Sequence, residues 1–242
     1  MAGDVRIEMS PVGPIVRPQH SSEAVVLYLH GDRHLANDSA PARLAAGRIA
    51  LASGAPVLCC DYDSAFPTAL EDVQDGFEYC QELGPTAVVG ERQGAGLGVA
   101  LMLRLRDHGV EPPQCGVLIS ALLDLTLEAP SVSLNAAADP TFDITLLRGR
   151  AAAYAAGTVR TDPSLSPVYG NLHGLPPIRL LAAGNDPLLD DSLAFASRAA
   201  RSGVSVDLSI RLDAAALESE AVAAAADFIR AWAPARRTSR LA

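Results

Sequence analysis

The sequence predicts an α/β fold, a doubly wound and mostly parallel sheet with flanking helices, and two observations carry that expectation. Short β-rich runs alternate along the chain with longer segments of helical period, which is the pattern of parallel strands joined by crossover helices. The chain has 242 residues, of which 49% are hydrophobic, enough to enclose one large core, so a single domain over residues 1–242 is expected.

Residues 1–24 open the chain as a short arm. Its beginning, MAGDVRIEMS, carries charges at Asp4, Arg6 and Glu8 and has no apolar core segment, so no signal peptide is expected. The first strand is placed at Val25 to Leu29 (VVLYL), and the helix after it at Ala40 to Ser53. A second strand at Pro56 to Cys60 leads to a helix over Pro67 to Leu83. The third, Ala87 to Gly90, runs through a Gly-bounded turn into a helix over Gln93 to His108. Strands at Gly116 to Ser120, Ile178 to Ala183 and Ser205 to Ile210 complete the sheet, with helices over Asp190 to Arg201 and Glu218 to Trp232. Residues 124–175, rich in Pro, Asp and Ser with one helical run near Ile144 to Ala156, interrupt the alternation and are expected to form a small lid. In such a sheet, ligands sit beyond the carboxyl ends of the strands. LHGDRH, DYDSAF, GERQG, SALLD and GNDPL should therefore converge on one crevice.

Composition excludes several functions. The net charge is −9 and there is no basic stripe, so nucleic acid is not an expected partner. No apolar run approaches the length of a membrane span. All 19 basic residues are arginine, which rules out a lysine Schiff base and a Walker loop ending in Gly-Lys. Cys59, Cys60, Cys80 and Cys115 lack CxxC spacing and read as reduced core thiols of a cytoplasmic protein. Cys59 and Cys60 would point to opposite faces of a strand. His30 and His34 have HxxxH spacing with no third ligand in view, so no metal and no cofactor are expected. GAGLG at Gly94 to Gly98 lies inside a helix well along the chain, where close helix packing explains it better than a dinucleotide loop does.

Four segments resemble the hormone-sensitive-lipase-like (family IV) esterase branch of the α/β-hydrolase fold. VVLYLHGDRH is similar to its strand and HGGG turn, and CCDYDSAFPTALEDV to its DYRLAPExxFPAALED segment. SALLDLT with DPSLSPVYGNLHGLPP is similar to its SPWLDLT and SPLYxDLxGLPP blocks, and LLAAGNDPLLDD to the region of the triad acid. The resemblance covers nearly all the chain from Val25 onward. It implies the α/β-hydrolase fold, a nucleophile elbow at Gly90-Glu91-Arg92-Gln93-Gly94 and a triad acid at Asp186. It also implies a histidine after the last strand, near Ala216.

Here the elbow carries Arg92 in place of the family's serine, and no histidine follows His173. His30-Gly31-Asp32-Arg33 stands where the family has consecutive glycines. These departures lead to the expectation of a degenerate triad and lost serine-esterase activity. Arg92 would reach towards Asp186, with Asp32 and Glu91 as alternative partners. The candidate catalytic residues are Arg92, Asp186, Glu91, Asp32 and His34; His30, Gly31, Gln93, Tyr62 and Ser120 are candidates for binding a small molecule. Three functions stay open. A non-hydrolytic cyclase, isomerase or lyase on a small metabolite of bacterial secondary metabolism is placed first. A ligand-binding pseudoenzyme and a structural partner with a filled pocket follow. The oligomeric state, with a homodimer as one option, is left open.

Overall fold

A computed structural model describes residues 5–31, 39–138 and 142–233. Its centre is an eight-stranded sheet of order β1-β2-β4-β3-β5-β6-β7-β8, built from β1 (Val5–Ser10), β2 (Gly13–Pro18), β3 (Val25–Leu29), β4 (Val57–Cys59), β5 (Thr86–Glu91), β6 (Cys115–Ile119), β7 (Ile178–Ala183) and β8 (Val206–Arg211). Every pairing from β4 to β8 is parallel. The first two strands are an antiparallel hairpin added to that edge through β2 and β4. The doubly wound sheet read from the alternation is therefore present.

The helices are α1 (Ser39–Ser53), α2 (Thr68–Leu83), α3 (Gln93–Asp107), the short α4 (Pro130–Leu134), α5 (Ile144–Ala155), α6 (Leu189–Arg201) and α7 (Ala214–Trp232). The two-residue period of each strand divides the core. On β3, Val25, Leu27 and Leu29 enter one cluster with residues of α2, α3, α5 and α6, whereas Val26 and Tyr28 enter a second with α1 and α7. Cys60 and Cys59 fall into these two clusters in turn. All four thiols are free and buried, and burial pushes those of Cys59 and Cys115 up to about 12.

Three segments gain detail. The arm before Val25 contains β1 and β2, an edge hairpin on which Ile7 and Met9 stay exposed; Arg17 Nε donates to Glu8 at 2.7 Å across the pair. The last helix starts at Ala214 instead of Glu218, since the Asp213 side chain accepts from Ala216 N–H at 2.9 Å and caps it. Within the stretch read as a lid, Leu125, Leu147, Tyr154 and Leu165 are buried in the cluster beside α2 and α3. Other boundaries differ by a residue or so, as fraying ends do. Among the described residues no helix is long and apolar enough to cross a membrane.

Candidate active site

A cavity of about 510 Å³ opens where the carboxyl ends of β3, β5 and β6 meet the upper parts of α1 and α7. Its floor is made by His30, Gly31, Glu91, Arg92 and Ser120, so five of the ten sequence candidates converge there. The parallel register explains the convergence. Leu29 pairs with Gly90 and Glu91 with Ile119, which brings the residues just past each strand side by side at the interstrand spacing.

The turn joining β5 to α3 keeps the strained geometry of an elbow although its central residue is arginine. Arg92 has φ 50° and ψ −115°, a conformation that costs of order 1–3 kcal/mol for a residue with a Cβ. The surroundings over-determine it. Arg92 N–H donates to Ile119 O at 3.0 Å, and its carbonyl accepts from Leu122 N at 3.0 Å and Ala95 N at 3.2 Å. Two glycines permit the close approach. A Cβ on Gly31 would lie 2.3 Å from Glu91 O, and one on Gly94 would lie 2.0 Å from Leu29 O. The loop after β3 and the start of α3 are thus in backbone contact, and side chains at either position would separate them. Ser120, at φ 45°, is the neighbouring strained residue and is buried at the same floor.

His30 and Glu91 form the polar centre of the floor. His30 Nδ1 lies 3.7 Å from Glu91 Oε2 and 3.5 Å from the Tyr28 hydroxyl. At the first distance no hydrogen bond is formed, and an ion pair exists only when the imidazole carries a proton on both nitrogens. Burial, followed by the charge of Glu91, holds the Tyr28 hydroxyl well above its ordinary range, so it remains a hydrogen-bond donor beside the pair. The backbone of His30 is fixed separately, because the Tyr62 hydroxyl donates to its carbonyl oxygen.

The remaining candidates lie elsewhere. Tyr62 is buried and supports the end of β3 through that bond, outside the cavity lining. Gln93 is buried on the opposite side of the turn, where its side chain hydrogen-bonds to Tyr154. Asp186 is buried in the turn after β7, and its Oδ1 accepts from Leu188 N at 2.9 Å. Its own turn thus engages one oxygen of that carboxylate. Asp32 and His34 lie outside the described residues. Among those described, no group of three or more His, Cys, Asp and Glu residues could hold a metal ion.

Sequence reasoning missed the walls. Leu44, Arg48 and Ile49 of α1 and Leu217, Ala221 and Val222 of α7 line the cavity. The spacing of Leu217, Ala221 and Ala225 does mark one face of a helix, but nothing local states that part of this face borders open space.

The family model described as the alpha/beta hydrolase fold matches residues 26–213. An acetyl-hydrolase of Streptomyces hygroscopicus is 34% identical over 199 residues, which make up 79% of this chain and 67% of that protein. An esterase of Acinetobacter venetianus is 28% identical over 203 residues, 80% of this chain and 67% of its own. The crystal structure of an esterase from the bacterial hormone-sensitive lipase family superposes with a TM-score of 0.88 at 29% identity, covering 95% of this chain and 85% of that one.

These relatives overturn the expectation of lost hydrolase activity. They are named for hydrolysis of esters and acetyl groups and point to a hydrolase, not to a non-hydrolytic enzyme, a pseudoenzyme or a structural partner. The physical reason is that the expectation equated one side chain at the elbow, together with a missing distal histidine, with the whole catalytic apparatus. An imidazole just past β3 and a carboxylate at the end of β5 stand at that turn, and the open cavity rules out a filled pocket.

Proposed function

Because this chain belongs to the hormone-sensitive-lipase-like branch of the α/β-hydrolase fold, we propose that it hydrolyses small carboxylic esters, acetyl esters among them, in the crevice above β3, β5 and β6. The observation that carries the reading is the His30–Glu91 pair on the crevice floor. With arginine at the elbow, water is the attacking oxygen. Nδ1 of His30 faces Glu91 and Tyr28, leaving Nε2 at the far side of the ring to accept the proton of that water. The water oxygen adds to the acyl carbon while the Arg92 guanidinium meets the charge developing on the carbonyl oxygen. His30 then returns the proton to the departing alkoxide as the C–O bond breaks, giving an acid and an alcohol. Glu91 holds the imidazole and stabilises its protonated form. A positioned base of this kind contributes about 10² to 10⁴ in rate.

The test is release of p-nitrophenolate from p-nitrophenyl acetate by the purified chain. Turnover above the buffer rate is expected, with kcat/KM falling about a hundredfold in His30→Ala and about tenfold in Glu91→Gln. A folded protein with no rate above buffer, or a His30→Ala variant with full activity, would remove the reading. One observation favours a covalent variant of it: Ser120 is buried with φ 45° on the same floor, a strained placement of the kind found at reactive sites. Treatment with a sulfonyl fluoride separates the two routes. Unchanged activity supports attack by water, and inactivation with a mass tag on Ser120 assigns the attack to its hydroxyl.

A further inference from the structure

We propose that the trench between α1 and α7 binds the alcohol-side alkyl chain of the ester, so that the substrate class is an acetyl ester of a medium-length, unbranched aliphatic alcohol. This rests on the hydrolytic reading of the floor and adds what that reading leaves open.

Among the described residues, the cavity lining is polar at the floor, apolar along the walls and charged at Arg48 and Glu218. Its polar floor lies at the strand ends, and from there it continues between Leu44, Ala45 and Ile49 of α1 and Leu217, Ala221 and Val222 of α7. The α7 residues recur at helical spacing and form one apolar wall. The charged residues of the walls, Arg48 and Glu218, are solvent-exposed at the outer rim. A ligand lying in the trench therefore meets polar groups at the floor, hydrocarbon along its length and charge where it re-enters water.

Small side chains create the room. Ala45 and Ala221 stand where leucines would close the gap between the helices, and Leu44 is left 62% exposed above it. Size then decides what fits. At about 30 Å³ per water-sized group, a cavity of about 510 Å³ takes roughly 17 such groups, and a small acetyl ester fills less than half of it. The unfilled part is the apolar part. A branched or charged alcohol would place bulk or a desolvated charge against the helix walls, whereas an extended alkyl chain matches them.

Binding of 2-alkanones of 5 to 12 carbons, measured by calorimetry, tests this without turnover, since a methyl ketone keeps the acetyl group and has no leaving oxygen. Affinity is expected to rise about threefold to fourfold per added methylene for as long as the chain stays in the trench. Val222→Trp should flatten the series by filling the trench. Leu44→Glu, at an exposed position with no packing to lose, should lower affinity for the longest ketones about tenfold and leave the shortest unchanged. A series flat in the parent protein overturns the proposal, as does a chain-length dependence that survives unchanged in Leu44→Glu. A flat series alongside turnover of p-nitrophenyl acetate removes the trench assignment alone. A rising series in a protein without turnover removes the hydrolytic reading and leaves the binding site standing.

Discussion

The turn Glu91-Arg92-Gln93 separates two interiors of very different density. On the α1 and α7 side, Glu91 and Arg92 border a cavity of about 510 Å³. On the α2 and α3 side, Gln93 borders a void of about 10 Å³ shared with Leu122, Tyr154 and Leu165. The contrast shows how a strained residue can be both rigid and accessible. Packing on the closed side, a hydrogen bond from Arg92 N–H to Ile119 O and those from Leu122 and Ala95 N–H to Arg92 O fix the backbone of Arg92, while the open side leaves its flank lining the cavity. Close packing holds a residue in a costly conformation because every relaxation would open a gap or create a clash.

The largest predicted effect breaks the closed side. Gly94→Ala places a Cβ about 2.0 Å from Leu29 O, a backbone atom that cannot turn away, and should cost about 3 kcal/mol or more. Urea unfolding would measure the loss, and esterase activity should fall with it because the clash displaces the backbone leading into His30.

Next in size is a pH effect confined to the closed side. Asp191 is buried and accepts from Leu123 N at 2.7 Å and Asp124 N at 3.0 Å. Burial outweighs those two donors and pushes its carboxyl up to about 7. A carboxyl raised in the folded state binds its proton more tightly there than in the unfolded chain. Its contribution to stability is therefore full below about pH 4 and is lost as pH rises towards 7. Asp191→Asn should remove this component, so the urea midpoint of the parent relative to the variant declines from pH 4.5 to pH 7.5. A constant difference would show that the carboxylate is already ionised throughout.

Smaller again is Tyr154→Phe. It deletes the hydroxyl that meets Gln93 on the closed side and should cost about 1 kcal/mol with kcat/KM unchanged. A large change in rate would mean that the two interiors are coupled through the turn. The smallest effect expected is that of Ser120→Ala on the open side. With water as the attacking oxygen, the rate with p-nitrophenyl acetate should stay within about twofold, whereas a loss of a hundredfold would place the nucleophile on that hydroxyl.

Particular elements show where sequence reading succeeds. VVLYL, TAVVG and CGVLI are short continuous apolar runs, and the helices between them are long enough to arbitrate the period, so the parallel sheet was legible. The hairpin of β1 and β2 was not: Val5, Ile7 and Met9 alternate with Arg6 and Glu8, yet these apolar side chains stay exposed at the sheet edge, so no core contact marks the strand. His30 and Glu91 could each be placed at a strand end from sequence, and their pairing follows from strand order, which local signals do not contain.

The amino-acid order alone determined the layered α/β architecture, the glycines that permit the elbow, and the chemical fact that arginine occupies its centre. These depend on periodicity and backbone sterics, which act over a few residues. Only the tertiary structure decided that one oxygen of Asp186 is taken up by its own turn, that Leu125, Leu147, Tyr154 and Leu165 join the core beside α2 and α3, and that a cavity opens between α1 and α7. Those outcomes depend on which surfaces, distant in the chain, exclude water together, and a gap between two helices is a property of both at once.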